Sequence, residues 1–177
     1  QPWYPVQEQY GLIWAYMGPP EKKPLLPRYD TFENLADDEV LIVNDKGVGG
    51  GGPEVLDFNW LQHWENVMDP FHVPILHARF SGNQFTPEMA LIPEVSYEYT
   101  PTGVRSIQMR ELGDGRQLRR VTEVMFPNLR VVASPKLASG QTNMIGWVVP
   151  MDDTNFRIFT VARDSDPAFL LKLRSTH

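Results

Sequence analysis

The chain has 177 residues, with 16 Lys plus Arg against 22 Asp plus Glu, four His and no Cys, so its formal net charge is −6. That length suits one domain, or one domain with part of another. No basic run exists to displace phosphate counterions, so nucleic acid is not an expected partner. No stretch approaches the roughly 20 apolar residues of a membrane span, and a soluble, cytoplasmic protein is expected. Without cysteine the chain itself offers no disulfide, thiolate nucleophile or cysteine-held cluster.

Taken in chain order, Gln9 to Met17 (QYGLIWAYM) reads as a strand, followed by a Pro-rich stretch, GPPEKKPLLPRYD, that cannot join a central sheet. Residues 1–36 are expected to be the tail of an upstream unit plus a linker, and residues 37–177 the main domain, cut at its C-terminal end. Glu39 to Asn44 is a second strand. Lys46 to Pro53 (KGVGGGGP) is a loop by composition, and no Gly-Lys-Ser/Thr follows to make it a phosphate cradle.

From Asp57 to Phe71 the period becomes helical, with Leu61, Trp64, Met68 and Phe71 on one stripe and Asn59 and Gln62 spaced as a capping box. After Pro87 the pattern is extended: Ile92–Tyr99, Val104–Leu112, Gln117–Phe126, Leu129–Ser134, Met144–Val149 and Phe156–Ala162 are rich in β-branched and aromatic residues. Asp114-Gly115 marks a hairpin, and the short connections predict an antiparallel meander. The final DPAFLLKLR opens like a helix. An α+β domain results.

The chemistry concentrates in HWENVMDPFHVPILH, residues 63–77. Projected on a helix, Glu65, Asp69 and His72 share one face, beside the apolar stripe, and so should point inward. His77 lies five residues beyond His72, about 140° away on an ideal helix, but Pro74 between them must distort the turn and could swing the two rings together. Two imidazoles converging near an acid suit a metal ion; two ordinary buried or surface histidines are the competing reading. His63, on another face, is expected at the surface, and His177 carries no inference. Arg105, Arg110, Arg119 and Arg120 fall on predicted strands; one could fork a substrate carboxylate, but solvent-facing partners for nearby Glu residues are the expectation.

Glu65-Asn66-x-x-Asp69-x-x-His72-x4-His77 resembles the iron-binding motif in the large, terminal oxygenase subunit of Rieske-type non-haem iron oxygenases. Tyr4-Pro5-Val6 with Gly11-Leu12-Ile13-Trp14-Ala15-Tyr16-Met17-Gly18-Pro19-Pro20 is similar to the last strand of the Rieske domain in the phthalate and phenoxybenzoate dioxygenase branch. Val148-Val149-Pro150-Met151-Asp152-Asp153-Thr154 resembles a strand end of that branch's catalytic domain. The resemblance implies a helix-grip fold, an antiparallel sheet wrapped round a hydrophobic cavity. It further implies that His72 and His77 ligate a mononuclear Fe(II), that Asp69 bridges this iron to the [2Fe–2S] Rieske cluster of a neighbouring subunit, and that Asn66 lies close to the iron. A homotrimer, a reductase or ferredoxin drawing on NAD(P)H, dioxygen and an aromatic substrate would complete the system. The cluster-binding Cys-x-His and Cys-x-x-His are missing here. The third ligand, an Asp on a late helix, is expected beyond this chain, because Asp152, Asp153, Asp164 and Asp166 are poorly placed for it. The rival expectations are a helix-grip module that holds a hydrophobic ligand without catalysis, and a hydrolytic zinc enzyme.

Overall fold

The computed structural model describes residues 3–46, 53–80, 84–133 and 142–164. The C-terminal helix expectation, Asp166, His177 and most of the glycine tract lie outside them. Two strands, β1 (Val6–Gln9) and β2 (Leu12–Ala15), form a hairpin. The single strand expected over Gln9–Met17 is thus corrected: the chain reverses at Tyr10 (φ 57°) and Gly11 (φ 75°), both in the left-handed region that a tight hairpin turn requires.

The main body is a seven-stranded, wholly antiparallel sheet. Its strands are β3 (Val40–Asn44), β4 (Glu94–Thr100), β5 (Gly103–Glu111), β6 (Gln117–Met125), β7 (Leu129–Val132), β8 (Met144–Pro150) and β9 (Phe156–Asp164). The spatial order β3-β9-β8-β7-β6-β5-β4 is the expected meander with β3 added beside β9. The Asp114-Gly115 turn joins β5 to β6, closed by Leu112 N–H on the Arg116 carbonyl at 3.0 Å.

One face of the sheet carries helix α1 (Trp60–Met68), whose Trp64 packs with Leu56, Val124, Val148, Phe156 and Ile158. The other face meets the N-terminal hairpin, where Phe32, Leu129, Ile145, Trp147 and Val161 form a second core joined by Tyr10, Leu12, Trp14 and Tyr29. Trp14 and Trp147 stack edge to face at 5.0 Å. An α+β, mostly antiparallel architecture is what the sequence led one to expect. Among the described residues no helix is long and apolar enough to cross a membrane.

Phe156 is wholly buried and makes an edge-to-face contact with Phe58 at 4.9 Å. Phe156→Ala should therefore destabilise the domain by about 3–5 kcal/mol, read from chemical denaturation midpoints. A loss below about 1 kcal/mol would contradict the helix-side core described here.

Candidate metal centre

Helix α1 begins where Asn59 Oδ1 accepts the Leu61 N–H at 2.9 Å, an N-cap bond to the second helical residue in place of the expected Asn59–Gln62 capping box. It ends at Met68, three residues earlier than the periodicity predicts. The cause is Pro70, which disfavours helical backbone at the preceding residue; Asp69 has turned to φ −84°, ψ 108°. The shared helical face of Glu65, Asp69 and His72 therefore does not form. Glu65 and Asn66 are exposed, and Asn66 offers its backbone carbonyl to the Asp69 N–H at 3.2 Å.

The chain next enters a π-helical segment, Val73–Phe80. Pro74 has no N–H to complete an α-type turn, and the wider winding bonds residues five apart, so residues i and i+5 stack above one another. That winding brings His72 and His77 together, with ring centroids 5.3 Å apart and planes at 73°. The helical spacing that separates them by 140° does not operate here.

Each ring is held by the same nitrogen. His72 Nδ1 donates to the Asp69 carbonyl at 2.6 Å, and His77 Nδ1 donates to Gln84 Oε1 at 2.9 Å. With Nδ1 donating, the neutral form of each ring carries its lone pair on Nε2, the atom that a metal-binding imidazole offers. Burial lowers the His72 pKa, against the smaller opposing effects of the Asp69 carbonyl and carboxylate. The ring is thus neutral near pH 7.

The Asp69 carboxylate is half-open to solvent. Its Oδ1 accepts the Phe71 N–H at 2.8 Å, while Oδ2 lies 3.9 Å from His72 Nδ1. Tyr97 on β4 donates its hydroxyl to the Met68 carbonyl at 3.2 Å, and burial followed by the Asp69 charge raises its pKa. Sequence reasoning missed both Tyr97 and Gln84. Gln84 sits in an aperiodic loop, and only its folded position, with Gln84 N–H on the His77 carbonyl at 3.2 Å and Phe85 against the His77 ring at 5.0 Å, shows its role.

Other expected placements change. His63 is buried, 3 % exposed, against Phe156, because its face of α1 is the sheet-facing one. Arg105 pairs with Glu98 as expected, but Arg110 is 1 % exposed and Arg120 half-buried, on the interior face of the sheet. Asp152 closes the β8–β9 turn by accepting from Thr154 and Asn155. Among the described residues no group of three or more His, Cys, Asp or Glu side chains converges as a metal site. The donor chemistry of the two imidazoles would fit two positions of a metal sphere.

The comparisons bear directly on this motif. No family model matches the chain. The alpha subunit of phenoxybenzoate dioxygenase from Ectopseudomonas oleovorans is 47% identical over 171 residues, covering 94% of this chain and 42% of that one. The chain belongs to the Rieske-type oxygenase large subunits. It spans less than half the length of the curated relatives it matches. The oxygenase subunit of 5,5'-dehydrodivanillate O-demethylase from Sphingobium sp. is 38% identical over 78 residues, 44% of this chain and 16% of that one. Dicamba monooxygenase has the same fold, with a TM-score of 0.58 at 13% identity, over 98% of this chain and 53% of that structure. Family and fold thus agree with the resemblance seen in the motifs.

His63 provides a test of the helix-side packing beneath the site. Burial, with a smaller effect from Arg130, pushes its pKa down to about 3. Below about pH 6.5 the unfolded chain takes up a proton that the folded chain does not, so stability falls as pH drops. This residue alone should contribute about 1.4 kcal/mol of loss per pH unit between pH 6 and pH 4. His63→Leu should remove that slope in denaturation measured across this range; an unchanged slope would contradict the buried, neutral ring.

Proposed function

We propose that this chain forms most of the catalytic domain of a terminal oxygenase, with His72 and His77 as the imidazole ligands of a mononuclear Fe(II). The observation that supports this is the pairing of the rings by their Nδ1 hydrogen bonds, which leaves two Nε2 atoms for one ion. Two histidines with one carboxylate and open positions are the donor set of non-haem iron oxygenases. Such an iron, when bound, supplies reductive activation of dioxygen for dihydroxylation, monohydroxylation or O-demethylation of an aromatic compound.

The chain's own residues have separable tasks. His72 and His77 hold the ion in the neutral tautomer that their carbonyl acceptors select, and Gln84 orients the His77 ring. Asp69 keeps one oxygen on the Phe71 N–H and presents its carboxylate at a half-open surface. That position suits an acid that accepts a hydrogen bond from a cluster-bound histidine in a neighbouring subunit and hands electrons inward. Asn66, on the exposed face one turn earlier, would help to seat that neighbour. The electron supply would be NAD(P)H through a reductase or ferredoxin and a [2Fe–2S] Rieske centre, in a homotrimer. The remaining carboxylate ligand is proposed to come from outside the described residues. Residues 1–36 would then be the tail of the Rieske domain and a linker, and 37–177 part of the iron domain.

Two substitutions in the full-length protein separate these roles. His72→Ala or His77→Ala should reduce mononuclear iron content at least about tenfold, measured by metal analysis and iron EPR. Asp69→Asn should keep that iron yet lose NADH-driven turnover. Retained iron in the histidine variants would refute the ligand assignment, and normal turnover in Asp69→Asn would refute the electron bridge.

A further inference from the structure

The two rings of the histidine pair are held by unlike partners. His72 Nδ1 donates to the Asp69 backbone carbonyl at 2.6 Å, an acceptor three residues back in its own turn. His77 Nδ1 meets Gln84 Oε1 at 2.9 Å, on a side chain seven residues ahead. The difference is chemical as well as positional. A backbone carbonyl can only accept, so the His72 ring is committed to a proton on Nδ1. A carboxamide carries an acceptor and a donor on the same carbon. With Oε1 toward the ring, His77 keeps its proton on Nδ1 and its lone pair on Nε2. With the amide NH2 there instead, the proton would sit on Nε2 and close that atom to a metal.

An exposed side-chain hydrogen bond holds little on its own, because water competes for both partners. Gln84 is exposed, yet its surroundings fix it. Its backbone N–H donates to the His77 carbonyl at 3.2 Å, so the residue is tied to His77 by main chain and side chain together. Phe85 lays its ring against the same imidazole, with centroids 5.0 Å apart and planes at 54°. The chain then enters the short helix Pro87–Ala90, which packs on the segment that carries His77. Met89 of that helix is 3 % exposed, with its Sδ 3.9 Å from Arg120 Nη1 on β6. Two residues on, the Leu91 carbonyl accepts from Arg110 Nε on β5 at 3.0 Å. The stretch from Gln84 to Leu91 is therefore a strap. One end lies on the second imidazole, and the other is fastened to two arginines of the sheet interior.

We propose that Gln84 is the positioning residue of the metal centre: its carboxamide oxygen sets the His77 tautomer and aims Nε2, so that metal retention is decided at His77. His72, by contrast, is fixed by the backbone. This deepens the oxygenase reading and rests on it for the identity of the two ligands. The strap holds the amide beside the ring. An acceptor-only group at position 84 would serve more tightly still, because a carboxylate cannot turn a donor toward the ring and raises the basicity of Nε2.

Mutation separates the side chain of Gln84 from its backbone. Gln84→Leu keeps the backbone N–H on the His77 carbonyl and most of the side-chain bulk, and removes the acceptor; Gln84→Glu keeps an acceptor. The measurements use full-length protein freed of its mononuclear metal. Nitrogen-15 NMR of histidine-labelled samples reads the tautomers, Zn²⁺ competition against a chelator reads affinity, and His72→Ala and His77→Ala samples assign the resonances. In wild-type protein His77 should be protonated at Nδ1. Gln84→Leu should move that proton toward Nε2 at His77 alone, with His72 unchanged, and weaken Zn²⁺ binding about 10- to 100-fold, the usual effect of losing such a partner. Gln84→Glu should restore the Nδ1 proton and bind Zn²⁺ at least as tightly as wild type.

A Gln84→Leu protein with the wild-type tautomer or the wild-type affinity would overturn the assignment, as would a glutamate variant no tighter than the leucine one. A change at both rings would mark a general loosening of the segment and overturns it too. Zn²⁺ affinity untouched by His72→Ala and His77→Ala would refute the ligand reading instead. The His77 tautomer in wild-type and Gln84→Leu protein then decides the role of Gln84 by itself.

Discussion

Two prolines determine the geometry on which the candidate site depends. Pro70 turns Asp69 out of the helix, and Pro74 denies the next turn its α-type bond, so the backbone winds wider over Val73–Phe80. A regular helix through this region would set His72 and His77 on separate faces. The wider winding instead stacks residues five apart and closes the two rings to 5.3 Å. The same break frees the Asp69 carbonyl, which would otherwise be committed to the helix, to accept from His72 Nδ1. One irregular turn therefore produces ring convergence, tautomer choice and the half-open position of the acid.

The sheet supplies the rigid partner. Helix α1 is clamped by Trp64 onto Val124, Val148, Phe156 and Ile158, and Tyr97 ties the helix end to β4. The irregular segment thus starts from a fixed point, and Gln84 pins its far side by both backbone and side chain. On the same face of the sheet as α1, β5 carries a buried polar row, Ser106, Gln108 and Arg110.

Much of this was legible beforehand. The strands after Pro87 carry dense β-branched and aromatic runs separated by clear turn residues, and their observed limits agree with the expected ones within two residues. The helix and the His–x4–His convergence were also visible, because a proline between two ligand-type residues is a strong local instruction. The errors share a cause: each assumed a regular element continuing past a local exception. Tyr10-Gly11 lacks the usual Asn-Gly signature, so its hairpin passed for one strand. The projection at 100° per residue carried Glu65 inward and His63 outward, although α1 stops at Met68 and rotates the other way onto the sheet. Arg110 was assigned to solvent on charge alone. Alternation cannot say which face of a strand is interior when the polar face is the buried one.

The most direct test of the central claim is nitrogen-15 NMR of histidine-labelled protein, read before and after addition of Zn²⁺ as a spectroscopically silent substitute for Fe(II). Both His72 and His77 should be protonated at Nδ1 in the metal-free protein, and both Nε2 resonances should shift together on titration with one equivalent. Protonation at Nε2 in either ring, or a response confined to one of them, would contradict a shared metal centre.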